Sequence, residues 1–73
     1  MRVYYVSKCL PWYTDFYVAI NDNHNASHKG FPNPKKAWQY ARKLADNYAR
    51  KHGLQSVYTC HPNGSAQAAY VVQ

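Results

Sequence analysis

Hydrophobic and polar positions divide this chain into four short apolar runs arranged around one long amphipathic stretch. Residues 2–8 and 16–21 are rich in Val, Tyr, Phe and Ile, with polar or turn residues between them. They read as two strands joined by a loop around Leu10-Pro11-Trp12-Tyr13-Thr14-Asp15. Strand side chains alternate between faces, so Phe16, Val18 and Ile20 share one face, and Tyr17 and Ala19 share the other. The run 21–30 is polar and ends on glycine, which predicts a loop.

Asn33-Pro34 then signals a helix start, because Asn caps free N–H groups and Pro suits the first helical position. The helix is expected to run to about Lys51, with Gly53 beyond it as the stop. Ala37, Ala41, Leu44, Ala45, Tyr48 and His52 fall on one stripe, with Trp38 and Ala49 at its margins. Small alanines on that stripe let a helix lie close to a sheet. Ser56 to His61 reads as a third strand, Pro62-Asn63-Gly64-Ser65 as a turn, and Ala66 to Val72 as a fourth strand. The order is ββαββ. It predicts an α+β fold, one domain over residues 1–73, with a four-stranded antiparallel sheet and one helix packed on one face. The simplest strand order is 2-1-3-4.

Composition bounds what such a domain does. With 73 residues, a single core supplies only about 3–5 kcal/mol, too little to maintain a deep catalytic cavity. Nine Lys and Arg against three Asp give a formal charge of +6. A surface this cationic raises encounter rates with acidic partners, whether protein, nucleic acid or anionic lipid. Solubility alone is the plainer use of such charge. The N-terminal run lacks the apolar stretch of a signal peptide, and no run approaches the roughly 20 residues of a membrane span. The expectation is a cytoplasmic monomer without membrane attachment, its Cys9 and Cys60 both free thiols.

Six of the nine basic residues sit on the helix: Lys35, Lys36, Arg42, Lys43, Arg50 and Lys51. They are the candidate partner-binding residues. Lys36, Lys43 and Arg50, seven apart, form a ridge almost opposite the apolar stripe. Only Asp46 interrupts it, placed four before Arg50 where an ion pair is expected. An ordinary solvated face is the alternative, and the scarcity of acids argues for an acidic partner instead. Aromatics on an open sheet face, with Tyr4, Tyr17 and Tyr58 as candidates, are able to stack nucleic-acid bases. The aromatic signature of RNA-recognition modules is absent, so core packing and protein contact are the favoured uses.

Cys9, His24, His28, Cys60 and His61 are potential metal ligands, but no close cysteine pair accompanies them, and neither metal nor cofactor is expected. Glutamate is absent, the three aspartates stand far apart, and Cys60 and His61 are strand neighbours that point to opposite faces. No glycine-rich phosphate loop exists. The chain reads as a binding protein rather than an enzyme.

Two resemblances extend this reading. Phe31-Pro32-Asn33-Pro34-Lys35-Lys36-Ala37, then Ala41, Leu44-Ala45, Gly53 and Asn63-Gly64, resemble small hairpin–helix–hairpin domains over residues 16–72, which implies fold alone. In length, basic character and lack of catalytic residues the whole chain resembles small bacteriophage proteins that reprogram host machinery, in particular the transcription inhibitors and antiterminators of Xanthomonas phages. That resemblance implies binding to host RNA polymerase near its RNA exit region, with inhibition of initiation and readthrough of terminators. The alternatives are a small basic nucleic-acid-binding module using the same helix on phosphates, and an inhibitor of a host defence protein.

Overall fold

The alternating runs do form strands. The computed structural model describes residues 1–8, 12–23, 29–62 and 67–73. Its elements are β1 (Arg2–Ser7), β2 (Tyr17–Ile20), α1 (Pro34–His52), β3 (Ser56–Cys60) and β4 (Ala68–Val72). The four strands make one antiparallel sheet with α1 packed against it.

The strand order is β2-β1-β4-β3, so β4 and not β3 lies beside β1. The cause is the segment after β2. Asn21 and Asp22 adopt φ of 51° and 68°, and Ile20 and Asn23 exchange backbone bonds of 3.2 and 3.0 Å across them. That is a two-residue turn of the kind Asn and Asp tolerate. Residues 24–28 of the expected loop lie outside the described residues. By residue 31 the chain has returned to the start of β2, where Phe16 and Phe31 exchange backbone bonds of 2.7 and 2.8 Å. α1 therefore runs back toward the end where β1 begins, and β3 starts from that end. It then lies parallel to β1, which leaves β4 to make the antiparallel pair. Hydrophobicity agrees: Ala68–Val72 takes the centre, while the more polar Ser56–Cys60 takes the edge.

α1 begins and ends as its caps require. The Asn33 side chain accepts a bond of 2.8 Å from the Lys35 N–H, Pro34 fills the first turn, and Gly53 closes the helix at φ 66°. Its buried residues are Ala37, Ala41, Ala45 and Ala49. Ala41, Ala45 and Ala49 meet Tyr4, Val18 and Val72 of the sheet, with Leu44, Tyr48 and Trp38 half-buried around them. Ala49 thus belongs to the centre of the buried stripe rather than its margin, and His52 is exposed at the last turn. Tyr4 is buried under the helix, where its hydroxyl accepts a 2.7 Å bond from Arg2 Nε. Burial pushes its phenol up, and the Arg2 guanidinium partly opposes that shift.

The sheet face away from α1 is also covered over β1, β2 and β4, while Val57 of β3 stays exposed on it. Val3, Tyr5, Ala19, Ala69 and Val71 are each buried there. The Tyr5 hydroxyl donates 2.7 Å to Asp22 Oδ1, and the His61 ring meets Tyr5 edge-on at 4.8 Å. His61 Nε2 lies 3.5 Å from the same Asp22 oxygen, so a turn after β2 and the end of β3 are tied over β1. Among the described residues no helix is long and apolar enough to cross a membrane.

Candidate partner-binding surface

The four inward alanines set the direction of everything else on α1. With Ala37, Ala41, Ala45 and Ala49 against the sheet, the helical period turns Lys36, Lys43 and Arg50 outward. Lys35, Lys36, Arg42, Lys43, Arg50 and Lys51 are all exposed, so every candidate binding residue lies on the surface. Asp46 pairs with Arg42 at 3.7 Å, not with Arg50. Arg50 instead donates 3.1 Å to Asn47 Oδ1, three residues earlier. The Arg42–Asp46 pair is exposed on both sides, which limits it to a few tenths of a kcal/mol.

The two ends of the helix differ in what their cations do. Arg50, Lys51 and His52 occupy the last turn, where positive charge complements the helix dipole. Lys35 and Lys36 occupy the first turn, which holds no acid, and there positive charge opposes the dipole. Helix stability accounts for the first group and not the second. The remaining cations are already engaged. Arg2 lies 4.6 Å from the Tyr48 ring centre, Lys8 4.9 Å from that of Phe16, and Lys29 5.4 Å from that of Phe31. Among the described residues the cations without such ring contacts are those of α1.

A second exposed feature was not singled out by the residue pattern. α1 packs mainly over β1, β4 and β2 and covers β3 least. Tyr58 is 58% exposed and Val57 49%, on opposite faces of that strand. The Tyr58 ring meets Trp38 at 5.7 Å and Tyr70 at 4.9 Å, forming an aromatic cluster where the helix flank faces β3. The signal in the sequence was Ser56–Cys60 itself: an uncharged strand with no apolar alternation deep enough for burial on either face. Trp12, 73% exposed, and Tyr13 beside it in the β1–β2 connection are further surface aromatics.

The alternative of an aromatic stacking platform on an open sheet face finds no support among the described residues. Tyr4 and Tyr58 project on the helix side, Tyr4 is buried there, and the far face is closed over Tyr5. Cys60 is a free, exposed thiol, and His61 beside it is buried on the other face. Cys9, His24 and His28 lie outside the described residues, and among the described residues no three His, Cys, Asp or Glu side chains converge. Comparison with family models, with curated protein sequences and with solved structures finds no match to this chain.

Proposed function

We propose that this chain is a phage-type transcription regulator that binds bacterial RNA polymerase through the basic outward face of α1, inhibiting initiation and promoting antitermination. In this reading it acts as a monomer in the host cytoplasm and holds no cofactor. The observation that carries it is the placement of Lys35 and Lys36 in a first turn without acids, continued outward by Lys43 and Arg50. These charges weaken the helix slightly and are not seated on rings, so an external acidic surface is what they serve. The identity of that surface as polymerase rests on the resemblance in size and character.

The test uses purified bacterial RNA polymerase and a template carrying a promoter and an intrinsic terminator. The wild-type chain should bind the enzyme, reduce promoter-dependent initiation and raise readthrough. Lys36→Glu, Lys43→Glu and Arg50→Glu together should weaken binding mainly by slowing association. Nucleic acid alone should bind only in the non-specific range of about 10⁻⁴–10⁻⁶ M at physiological salt. Nanomolar affinity for duplex DNA or single-stranded RNA, lost in the triple variant and without polymerase binding, would establish the nucleic-acid module instead.

A further inference from the structure

We propose that the free edge of β3 is a docking site for an extended acidic segment of a partner protein, which adds to the sheet as a fifth strand. The proposal rests on the reading that the partner presents an acidic protein surface, and it supplies the mode of capture.

Hydrogen-bond phase fixes which backbone groups are available. Gln55 and Gln73 exchange bonds of 3.2 and 3.1 Å, and His61 N–H donates 2.6 Å to Gln67. With the register Val57↔Val71 and Thr59↔Ala69, the odd positions 55 to 61 face β4. Ser56, Tyr58 and Cys60 therefore direct their N–H and C=O groups away from the sheet. Among the described residues no backbone group meets them there. Natural edges are blocked by Lys, Pro, bulges or covering segments. Among the described residues Ser56–Cys60 has none of these devices; it pairs with β4 without a register break and exposes Val57 and Tyr58 to pack an added strand on both faces.

Charge selects the occupant. Lys35, Trp38 and Arg42 follow at three- and four-residue steps and so share one flank of α1. The Trp38–Tyr58 ring contact shows that this flank faces β3. Asp46, paired with Arg42, is the acid on this flank, whereas Asp22 lies on the opposite sheet face, 3.5 Å from His61 Nε2 just beyond β3. A second copy of this chain brings another net charge of +6, with its own Lys35 and Arg42, to the same edge, and like net charge disfavours self-association. Self-pairing is opposed, and an acidic strand is favoured.

The test follows amide hydrogen exchange at Tyr58 and Cys60 by NMR, with a blocked peptide of alternating Glu and Val as the probe and its Lys-for-Glu counterpart as control. The acidic peptide should slow exchange at both amides by at least about tenfold, while the basic peptide leaves them unchanged. Cys60→Pro removes one outward N–H that no bond to β4 uses, and should weaken the peptide at least about tenfold relative to Cys60→Ala. Equal binding by the two variants, or peptide binding without protection of Tyr58 and Cys60, overturns the proposal. Protection that grows with protein concentration in the absence of peptide also overturns it, in favour of a second copy. If Cys60→Pro leaves polymerase binding intact while the triple Glu variant abolishes it, the proposed function stands and strand addition falls. If the peptide behaves as expected but polymerase does not bind, the edge stands and the polymerase reading falls.

Discussion

The two edges of this sheet are built on opposite plans. At the β2 edge the outward backbone groups of Phe16 pair with Phe31, and those of Ile20 pair with Asn23. The chain doubles back over its own edge before the helix begins. At the β3 edge Tyr58 and Cys60 present the same kind of groups with nothing from the described residues across from them. Both edges belong to short, uncharged strands, so strand sequence alone does not decide which is closed. What decides is the connection: thirteen residues separate Ile20 from Pro34, enough to run back along the sheet, whereas three residues separate His52 from Ser56. A closed edge contributes to stability. An open one carries a cost in aggregation risk that a binding role offsets.

The largest effect expected from this contrast is at Phe31. Its side chain is half-buried against the helix-side core and meets the Tyr40 ring at 5.3 Å, while its backbone closes the β2 edge. Phe31→Ala should destabilise the domain by about 2–3 kcal/mol, below the value for a fully buried ring. In a domain with about 3–5 kcal/mol in total, that approaches unfolding. Val57→Ala at the open edge should cost less than about 1 kcal/mol. Urea denaturation of both variants checks the contrast, and equal midpoints would break it.

Next in size is the packing of Gly30 against Asp15, which fastens the same returning segment. A Cβ at Gly30 would stand 2.7 Å from Asp15 Oδ2 and 2.9 Å from Asp15 Cβ, closer than such atoms approach. Gly30→Ala should therefore cost about 1–3 kcal/mol by overpacking. Asp15→Gly in the same chain should recover most of that loss, since the two sites share one contact. A double variant no more stable than Gly30→Ala would mean the strain lies elsewhere.

These elements show how far the residues alone reach. The caps Asn33 and Gly53, the alternation of Val18 and Ala19 and most of the alanine stripe are local signals that appear in the structure, although the stripe takes in Ala49 and leaves out His52. The strand order is not local. It depends on the path of the 21–33 connection, and the return of Phe31 to Phe16 is a contact across fifteen positions that no short motif announces. The basic face of α1 was legible because helical period alone turns it outward. The β3 edge was legible only in part: the uncharged run Ser56–Cys60 suits an edge strand, but that no backbone group among the described residues meets its outer side is set by the tertiary path.

The tie across the far face comes third. Tyr5 is pushed up to about 12 by burial first and by its bond to Asp22 second. A phenol whose pKa is raised on folding stabilises the native state fully below about pH 10, the unfolded value. That stability is lost as pH rises through about 12. Tyr5→Phe should cost about 0.5–1.5 kcal/mol near neutrality, by loss of the hydroxyl bond to an exposed carboxylate. It should also remove the part of the alkaline destabilisation that begins near pH 10. Denaturation midpoints from pH 8 to 12 measure both, and an unchanged alkaline slope in Tyr5→Phe would remove Tyr5 from the account.

The smallest effect on stability is expected at Tyr58. Its ring meets Trp38 and Tyr70, yet more than half of its surface is in water, so little apolar area is released on folding. Thr keeps the strand preference of the position, and its outward N–H and C=O stay where they are. Tyr58→Thr should cost about 0.5–1 kcal/mol, the value of aromatic contacts at an exposed site. Phe31→Thr, the same replacement at the closed edge, should cost about 2 kcal/mol or more. The pair sharpens the contrast between the edges, because residue type and new side chain are nearly matched and only the covering differs. Thermal melting of the two variants in one buffer is sufficient to read it. If Tyr58→Thr destabilises as much as Phe31→Thr, the aromatic cluster belongs to the core, and β3 is held closed by its side chains rather than left open for a partner.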